Sequence, residues 1–457
     1  MRLLLIAYHF PPSAAAGSHR SARFSRLLPG LGWSVDVLTV HVGKGVAAPA
    51  DPPGVRTHRT RSFRAIDWML SLRRPSVARG DLDPAGPRRM SEARDVAKQT
   101  SPSPGPWQRF KDTLTLLARF PDPEAGWIPF GFARGLSLVL RHRPDALYTS
   151  GPPHSSHLLG WFLKRLSGRP WIADFRDPWS SKPWTEAWER REWRARGLRR
   201  LEAMVVRSAD RVILNTEAMR EDFAGRYPGI ESSRFRCIPN GYDPAEFDDL
   251  APVPRHGGPF RLTHAGSLYR RRSPLVLLDA IRTLFDSGAV REGDLELELI
   301  GPIGIDGISL PRAVAERRLA ATVRHVPFLP HREALRALFL ADALVIVQPD
   351  TQTQVPGKLY EYLFVGKPVV ALAHAGATAD LVQGGGLGWV ADPDSVAEVA
   401  AAILAAVRSR GRGVPVPAAR ERLLARHHAG ALTAELSGLL RECVHARAFT
   451  GRESSRG

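Results

Sequence analysis

The chain has 457 residues, 44% of them hydrophobic and 24% charged, and its 64 Lys+Arg against 46 Asp+Glu give a net charge of +18. That composition is of an ordinary soluble globular protein, with room for two or three domains at about 150 residues each. Cys237 and Cys443 argue against a disulfide framework or a zinc site built on them, no apolar run reaches the ~20 residues of a membrane span, and the basic field favours anionic partners such as nucleic acid, anionic lipid or phosphorylated small molecules.

Leu3-Leu-Leu-Ile-Ala7 reads as a first buried strand rather than a signal segment, being short and followed by Pro11-Pro12. A loop through Gly17 leads to a helix over Ser21–Leu28, stopped by Pro29-Gly30, and to a strand over Val35–Val40. This is the opening of a doubly wound α/β domain, whose ligands bind beyond the carboxyl ends of the strands, so Gly17 should line a cleft. Residues 44–105 are rich in Pro, Gly, Arg and Ser and are expected to be a long flexible insertion with one short helix near Ala65–Leu72. A helix over Trp107–Leu117 and a turn-rich Phe120–Trp127 follow. Next come strand Asp145–Ser150, a helix through Arg165, strand Trp171–Phe175, a basic helix Glu186–Arg207, strand Arg211–Asn215 and a short strand and turn over Cys237–Asp243. Residues 244–258 read as an interdomain linker.

A second α/β unit starts at Phe260-Arg-Leu-Thr-His-Ala-Gly266. Expected helices are Pro274–Ser287, Arg312–Leu319, Arg332–Ala341, Ala377–Gln383 and Ser395–Arg408; expected strands are Leu295–Ile300, Thr322–Val326, Ala343–Val347 and Val369–Leu372. One long helix closes the chain over about Ala418–Ala446. The division is 1–250, 251–420 and a C-terminal helix and tail over 421–457.

The most informative stretch is Val355-Pro-Gly-Lys-Leu-Tyr-Glu-Tyr-Leu-Phe-Val-Gly-Lys-Pro-Val-Val370. Pro356 and Gly357 open a short helix, and Gly366 with Pro368 closes it. The helix start presents N–H groups and the positive dipole end. Lys358 in the first turn is unfavourable there unless an anion lies in front of it, and Glu361 offers an acceptor to a sugar or ribose hydroxyl. This combination can hold a nucleotide diphosphate. An ordinary αβ unit punctuated by Gly and Pro is the alternative.

The stretch resembles the signature of retaining glycosyltransferases of family 4, which have the GT-B fold. Glu361 matches the second glutamate of that signature and Gly366-Lys-Pro-Val369 its end, while Thr353 stands at the first glutamate. The chain is more similar to a subgroup with Trp171-Ile-Ala-Asp-Phe-Arg-Asp-Pro-Trp179 and Val-Pro-Gly-Lys-Leu-Tyr-Glu-Tyr-Leu phrases. The resemblance spans residues 1–40 and most of 107–440, with its motifs in family order. It implies two Rossmann-like domains facing across a cleft.

By this resemblance Asp174, Glu361, Arg272 and Lys358 are the catalytic candidates. The donor would be held by Gly17, Gly266, Ser267, Arg272, Pro327, Phe328, Thr353, Gly357, Lys358, Leu359 and Glu361. Ser267 replaces a customary arginine. Arg270 and Arg271 read as solvated. Asn240-Gly-Tyr-Asp243 matches a structural interdomain turn. The residues themselves place Asp174, Arg176 and Asp177 at the cleft rim, as a reaction-centre group or a structural ion pair. His154 and His157 at a helix start could bond sugar hydroxyls or serve as caps. No metal ligand set is expected.

The implied function is transfer of a sugar from a nucleotide-sugar donor to a lipid-linked, glycan or small-molecule acceptor, with retention and no cofactor or obligatory metal. A GT-B nucleotide-sugar epimerase and a non-catalytic basic membrane- or nucleic-acid-binding protein are the alternatives; nucleic acid is not an expected partner. Trp184, Trp188 and Trp193 interleave with Arg190, Arg191, Arg194, Arg196, Arg199 and Arg200. Aromatics and arginines on one helix suit an anionic inner-leaflet surface, and a helix packed by its Trp face is the plainer reading. The expected location is the cytoplasm, with peripheral attachment to the inner face of the membrane.

Overall fold

The computed structural model describes residues 1–13, 15, 17–41, 48–63, 117, 119–181, 191–250, 257–269, 272–304, 309–410 and 418–453. Two parallel sheets organise them. In the first domain β1 (Arg2–Ala7), β2 (Ser34–Val40), β3 (Val55–Thr60), β4 (Ala146–Gly151), β5 (Trp171–Phe175), β6 (Arg211–Leu214) and β7 (Phe235–Cys237) form a 7-stranded sheet in the order β3-β2-β1-β4-β5-β6-β7. Its helices are α1 (Gly17–Leu27), α2 (Ile128–His142), α3 (Ser155–Ser167), α4 (Glu192–Ser208) and α5 (Glu217–Arg226). Leu3, Leu5 and Ala7 join one apolar layer and Leu4 and Ile6 the other. A strand buried on both faces explains why the opening run is apolar without alternation.

The second domain has strands β8 (Phe260–Ala265), β9 (Leu268–Tyr269), β10 (Leu295–Ile300), β11 (Ile303–Gly304), β12 (Val323–Val326), β13 (Ala343–Val347), β14 (Val369–Leu372) and β15 (Gly388–Ala391). Six of them form a sheet in the order β12-β10-β8-β13-β14-β15, while β9 and β11 pair separately. Helices α6 (Leu275–Asp286), α7 (Leu310–Glu316), α8 (His331–Leu340), α9 (Lys358–Val365), α10 (Ala377–Gly384) and α11 (Val396–Arg408) connect them, followed by α12 (Ala418–His427) and α13 (Ala429–Glu453). Two doubly wound parallel sheets in this succession are the GT-B fold.

Several expectations change. The proposed flexible insertion contains strand β3, which pairs parallel to β2 from Val55↔Val35 to Thr60↔Val40. Its polar sequence, Val-Arg-Thr-His-Arg-Thr, is what an edge strand tolerates. The helix expected near Ala65–Leu72, and all but the last residue of that expected over Trp107–Leu117, lie outside the described residues. Helix α2 gave no sequence signal because Gly131 and Gly135 interrupt it. They let it lie close to α3, since a Cβ there would stand 2.8 Å from Leu159 Cδ2 and 2.7 Å from Leu163 Cδ1. Strand β7 ends at Cys237, where the expected strand began.

The single C-terminal helix is two, broken at His428. There Tyr242 inserts its backbone, donating to the His427 carbonyl at 3.1 Å and accepting from the Ala429 N–H at 2.9 Å. Gly241 allows that approach, because a Cβ would fall 2.1 Å from the His427 oxygen. Helix α13 packs on the first domain through Leu432, Leu436, Leu439 and Leu440, with Trp33 Nε1 donating to Ser437 Oγ at 2.9 Å.

Candidate active site

Strand order reverses direction between β1 and β4 in the first sheet and between β8 and β13 in the second. Crevices open at such points beyond the carboxyl ends of strands. The loops there are the Gly17 segment, Gly151-Pro-Pro-His154, Ala265-Gly266-Ser267 and the stretch leading to Gly357.

The second-domain side is a cationic cradle. His264 is fully buried, with Nδ1 3.0 Å from the Val345 carbonyl. A carbonyl only accepts, so Nδ1 carries the hydrogen and Nε2 is left as an acceptor. Lys358 Nζ lies 3.1 Å from that Nε2 and has no carboxylate partner among the described residues. Burial, reinforced by Arg272, pulls the Lys358 ammonium down to about 7, with Glu361 opposing. Burial and the Lys358 charge hold His264 neutral. Gly266, at φ +119°, leaves the lysine its space, since a Cβ would be 2.6 Å from Nζ. Arg272 stacks 5.6 Å from the centre of the Tyr269 ring and also has no carboxylate partner among the described residues. Two such cations side by side cost free energy until an anion arrives.

Glu361 is half-buried, and its carboxylate has no hydrogen-bond or ion-pair partner among the described residues. Burial raises its pKa against the pull of His331, Arg23 and Lys358. Ser267, Gly357, Pro327 and Phe328 are exposed, and Phe328 most of all, at 73%. Leu359 departs from expectation. Its side chain is in the core and its N–H donates to the Pro356 carbonyl at 3.0 Å, so neither faces the cleft.

The first-domain side differs from expectation at three residues. Asp174 does not emerge at the cleft rim: it is 0% exposed. Arg20 Nε and Nη2 bond its two oxygens at 2.8 and 3.1 Å, and the Tyr148 hydroxyl donates to it as well. The same guanidinium reaches the Ile238 and Pro239 carbonyls at 2.8 and 2.7 Å. His154 is also wholly buried, stacked on Trp179 at 4.9 Å. His157 is buried with Nδ1 on Thr149 Oγ1 at 2.9 Å, and burial lowers it to about 3. These histidines are interior groups of the first domain.

Arg176 does reach the crevice. Its Nε bonds the Gly151 carbonyl at 3.2 Å and Nη2 the Pro152 carbonyl. The guanidinium lies directly against Gly17, where a Cβ would be 2.3 Å from Nη1. Burial pulls Arg176 below its ordinary value, against Asp177 and Asp174. Two contacts join the domains at this level: Gln354 Nε2 donates to Asp177 Oδ1, and the Thr216 hydroxyl donates to the Thr353 carbonyl. Thr353 thus contributes its backbone to the interdomain contact.

Sequence reasoning missed a third junction. Arg23 of α1 holds Glu246 through both oxygens at 3.0 and 2.9 Å, and the His19 and His331 rings meet across the domains at 4.9 Å. Arg20 and Arg23, one turn apart on α1, carried no motif; their partners appear only once α1 lies under the Asn240–Asp243 turn.

Trp184, Trp188 and Arg190 lie outside the described residues. Arg194, expected among the surface arginines, is buried at 7%, with Nη2 3.3 Å from the Pro121 carbonyl. Arg191, just before α4, and Arg196, Arg199, Arg200 and Arg207 on it are exposed, and Trp193 is 39% exposed. Among the described residues no helix is long and apolar enough to cross a membrane.

Residues 17–241 match the glycosyl transferase 4-like domain family, and residues 259–409 match glycosyl transferases group 1. Comparison with curated proteins finds no match. Similar solved structures include a sucrose-phosphate synthase from Thermosynechococcus elongatus, with a TM-score of 0.67 and 18% identity, covering 98% of this chain and 100% of that one. HepE of Anabaena in complex with UDP has a TM-score of 0.60 at 15% identity, covering 97% of this chain and 100% of that one. An α,α-trehalose 6-phosphate synthase from Burkholderia multivorans has a TM-score of 0.63 at 14% identity, covering 98% of each chain. With two glycosyltransferase domains matched in succession on the fold those structures share, the chain belongs to the GT-B glycosyltransferases.

Proposed function

We propose that the enzyme transfers a sugar from a nucleoside diphosphate sugar to an acceptor with retention at the anomeric carbon. The observation that carries this reading is the pair of cations, Lys358 and Arg272, at the Gly266 loop and the start of α9, which have no carboxylate partner among the described residues. Together with the Gly357 end of the helix they fit a diphosphate whose charge grows as the sugar departs. The complexes of HepE with UDP and with UDP-glucose support a nucleotide-sugar donor on this fold.

In this reading Glu361 accepts a hydroxyl of the ribose or sugar. Thr353 supplies backbone and a hydroxyl where the related signature has a carboxylate. Ser267 and the Pro327-Phe328 segment border the nucleotide. Arg176 and Asp177 face the sugar or acceptor from the first domain. Asp174 acts through Arg20 as a positioning residue, fixing α1 and hence the Gly17–Arg176 contact. His154 supports the same wall from behind, through Trp179. No step needs a metal or cofactor, because Lys358, Arg272 and the helix start neutralise the leaving group.

A lipid-linked acceptor fits the exposed arginines of α4, which would hold the enzyme against an anionic inner leaflet from the cytoplasm. The test is a donor panel followed by nucleotide release, with the anomeric configuration of the product read by NMR. A nucleotide-dependent product of retained configuration is expected. An inverted product would sink the retaining mechanism, and interconversion of the donor without an acceptor would make the protein an epimerase.

A further inference from the structure

We propose that Asp36, His58 and His142 form a transition-metal site, suited to Zn²⁺, at the end of the first domain remote from the cleft. Asp36 is buried in β2, its side chain 5% exposed. His58 Nε2 of the edge strand β3 lies 2.8 Å from one carboxylate oxygen, and His142 Nδ1, on the last residue of α2, lies 2.9 Å from the other. The three ligating atoms fall within 4.8 Å of one another. The only partners of the Asp36 carboxylate among the described residues are these imidazoles; no lysine or arginine neutralises it.

The donor set is chemically apt. Two imidazoles and a carboxylate suit Zn²⁺, which binds nitrogen and oxygen at about 2.0–2.2 Å in a tetrahedron. Ligand atoms around such an ion stand roughly 3.3 Å apart, so the present 2.8 and 2.9 Å contacts need to open by only about half an ångström.

Two guanidinium groups touch the histidines: Arg2 donates to the His142 carbonyl, and Arg134 Nη2 lies 3.0 Å from the ring atom His58 Nδ1. A guanidinium only donates, so Nδ1 carries a lone pair and Nε2 carries the hydrogen now directed at Asp36. On metal binding each neutral imidazole shifts its ring hydrogen to its other nitrogen, freeing the one that ligates. Arg134, which is exposed, swings away from Nδ1. No proton is gained or lost in that exchange. His142, 26% exposed, leaves an opening through which water can fill a fourth position.

The placement separates this site from sugar transfer. Asp36 lies in the amino half of β2 and His142 precedes β4, whereas the donor loops lie at the carboxyl ends. An ion here would clip the polar edge strand β3 and the end of α2 onto β2, a stabilising role through binding to the folded state.

The experiment is Zn²⁺ titration of the metal-stripped full chain by calorimetry, with melting temperature followed in parallel. Wild type is expected to bind an equivalent that raises the melting temperature and that Mg²⁺ does not replace, because Mg²⁺ prefers an oxygen shell. Asp36→Asn and His142→Ala should each weaken that equivalent by about 100-fold or more, since even second-shell losses cost ~10–100-fold. His331→Ala, which removes a ligand from the separate His19–Glu246–His331 group, should leave it in place. Melting in EDTA checks that the variants are folded. If they are not, the Co²⁺ spectrum of wild type decides: tetrahedral d–d bands support the site. Absence of those bands, absence of Zn²⁺ binding to wild type, or unchanged binding in both folded variants overturns it.

Discussion

At the scale of single residues, the cleft contains charges that have partners and charges that lack them. Asp174 and Arg20 satisfy each other in the interior, whereas among the described residues Lys358, Arg272 and Glu361 have no carboxylate, guanidinium or ammonium partner. Asp174→Asn should therefore act on stability: breaking a buried pair costs about 3–5 kcal/mol, read as a lower denaturant midpoint. Glu361→Gln should do the reverse, impairing turnover and nucleotide affinity while the melting temperature stays nearly constant. A large loss of stability there would mean that Glu361 is structural. Lys358→Ala and Arg272→Ala should each remove about 2–4 kcal/mol of transition-state stabilisation, measured as kcat/KM for donor turnover. Lys358 also gives the cleft a pH dependence. With its ammonium at about 7, the charged form dominates below that pH and is lost above it. A bound diphosphate raises the value, so nucleotide affinity should fall as pH rises above about 7, with a proton taken up on binding. Calorimetry in buffers of different ionisation enthalpy measures both, and Lys358→Arg, always charged, should flatten the profile.

At the scale of elements, close approach matters more than propensity. The Gly266 loop holds φ +119° with Lys358 Nζ at its face, so Gly266→Ala combines backbone strain with displacement of the lysine. We expect weaker nucleotide binding in this variant than in Ser267→Ala, whose exposed side chain meets neither constraint. On the other side of the protein, Gly135 seats α2 against α3, and overpacking there should cost about 1–3 kcal/mol without altering donor affinity. Helix α4 divides its arginines: Arg194 is tied to backbone carbonyls inside, whereas Arg196, Arg199 and Arg200 face outward. Charge reversal of those three, Arg196→Glu, Arg199→Glu and Arg200→Glu, should abolish sedimentation with anionic liposomes, and salt should weaken the binding of wild type. Equal recovery of wild type in the supernatant with and without anionic lipid would leave the acceptor a small molecule or glycan.

At the scale of the whole molecule, most of the α/β succession was legible in the chain. Apolar strands such as Leu3–Ala7 and Ala343–Val347 announce themselves because both of their faces are buried, and the Gly and Pro positions around Lys358–Val365 mark where a helix begins and ends. What periodicity could not show were elements held by tertiary contact: β3, polar because it is an edge; α2, broken on paper by glycines that permit packing; and the division at His428, where Tyr242 takes the backbone bonds of a helix turn. The candidate site divides in the same way. Glu361, Lys358 and Arg272 were visible because a charge near a helix start or a glycine loop has a local electrostatic meaning, readable from a few neighbours in sequence. Asp174, His154 and Arg194 were misplaced because side-chain burial depends on what packs above a strand end or helix, and that comes from distant residues: Arg20 and Tyr148 over Asp174, Trp179 over His154, Pro121 beside Arg194. The two-domain α/β plan follows from short-range pattern and could be read from the chain alone, as could the local charges at the Lys358 helix start on which the proposed donor site rests. Which charges are paired inside the protein came from the fold, because partners such as Arg20 and Asp174, or Arg23 and Glu246, lie more than a hundred residues apart in the chain.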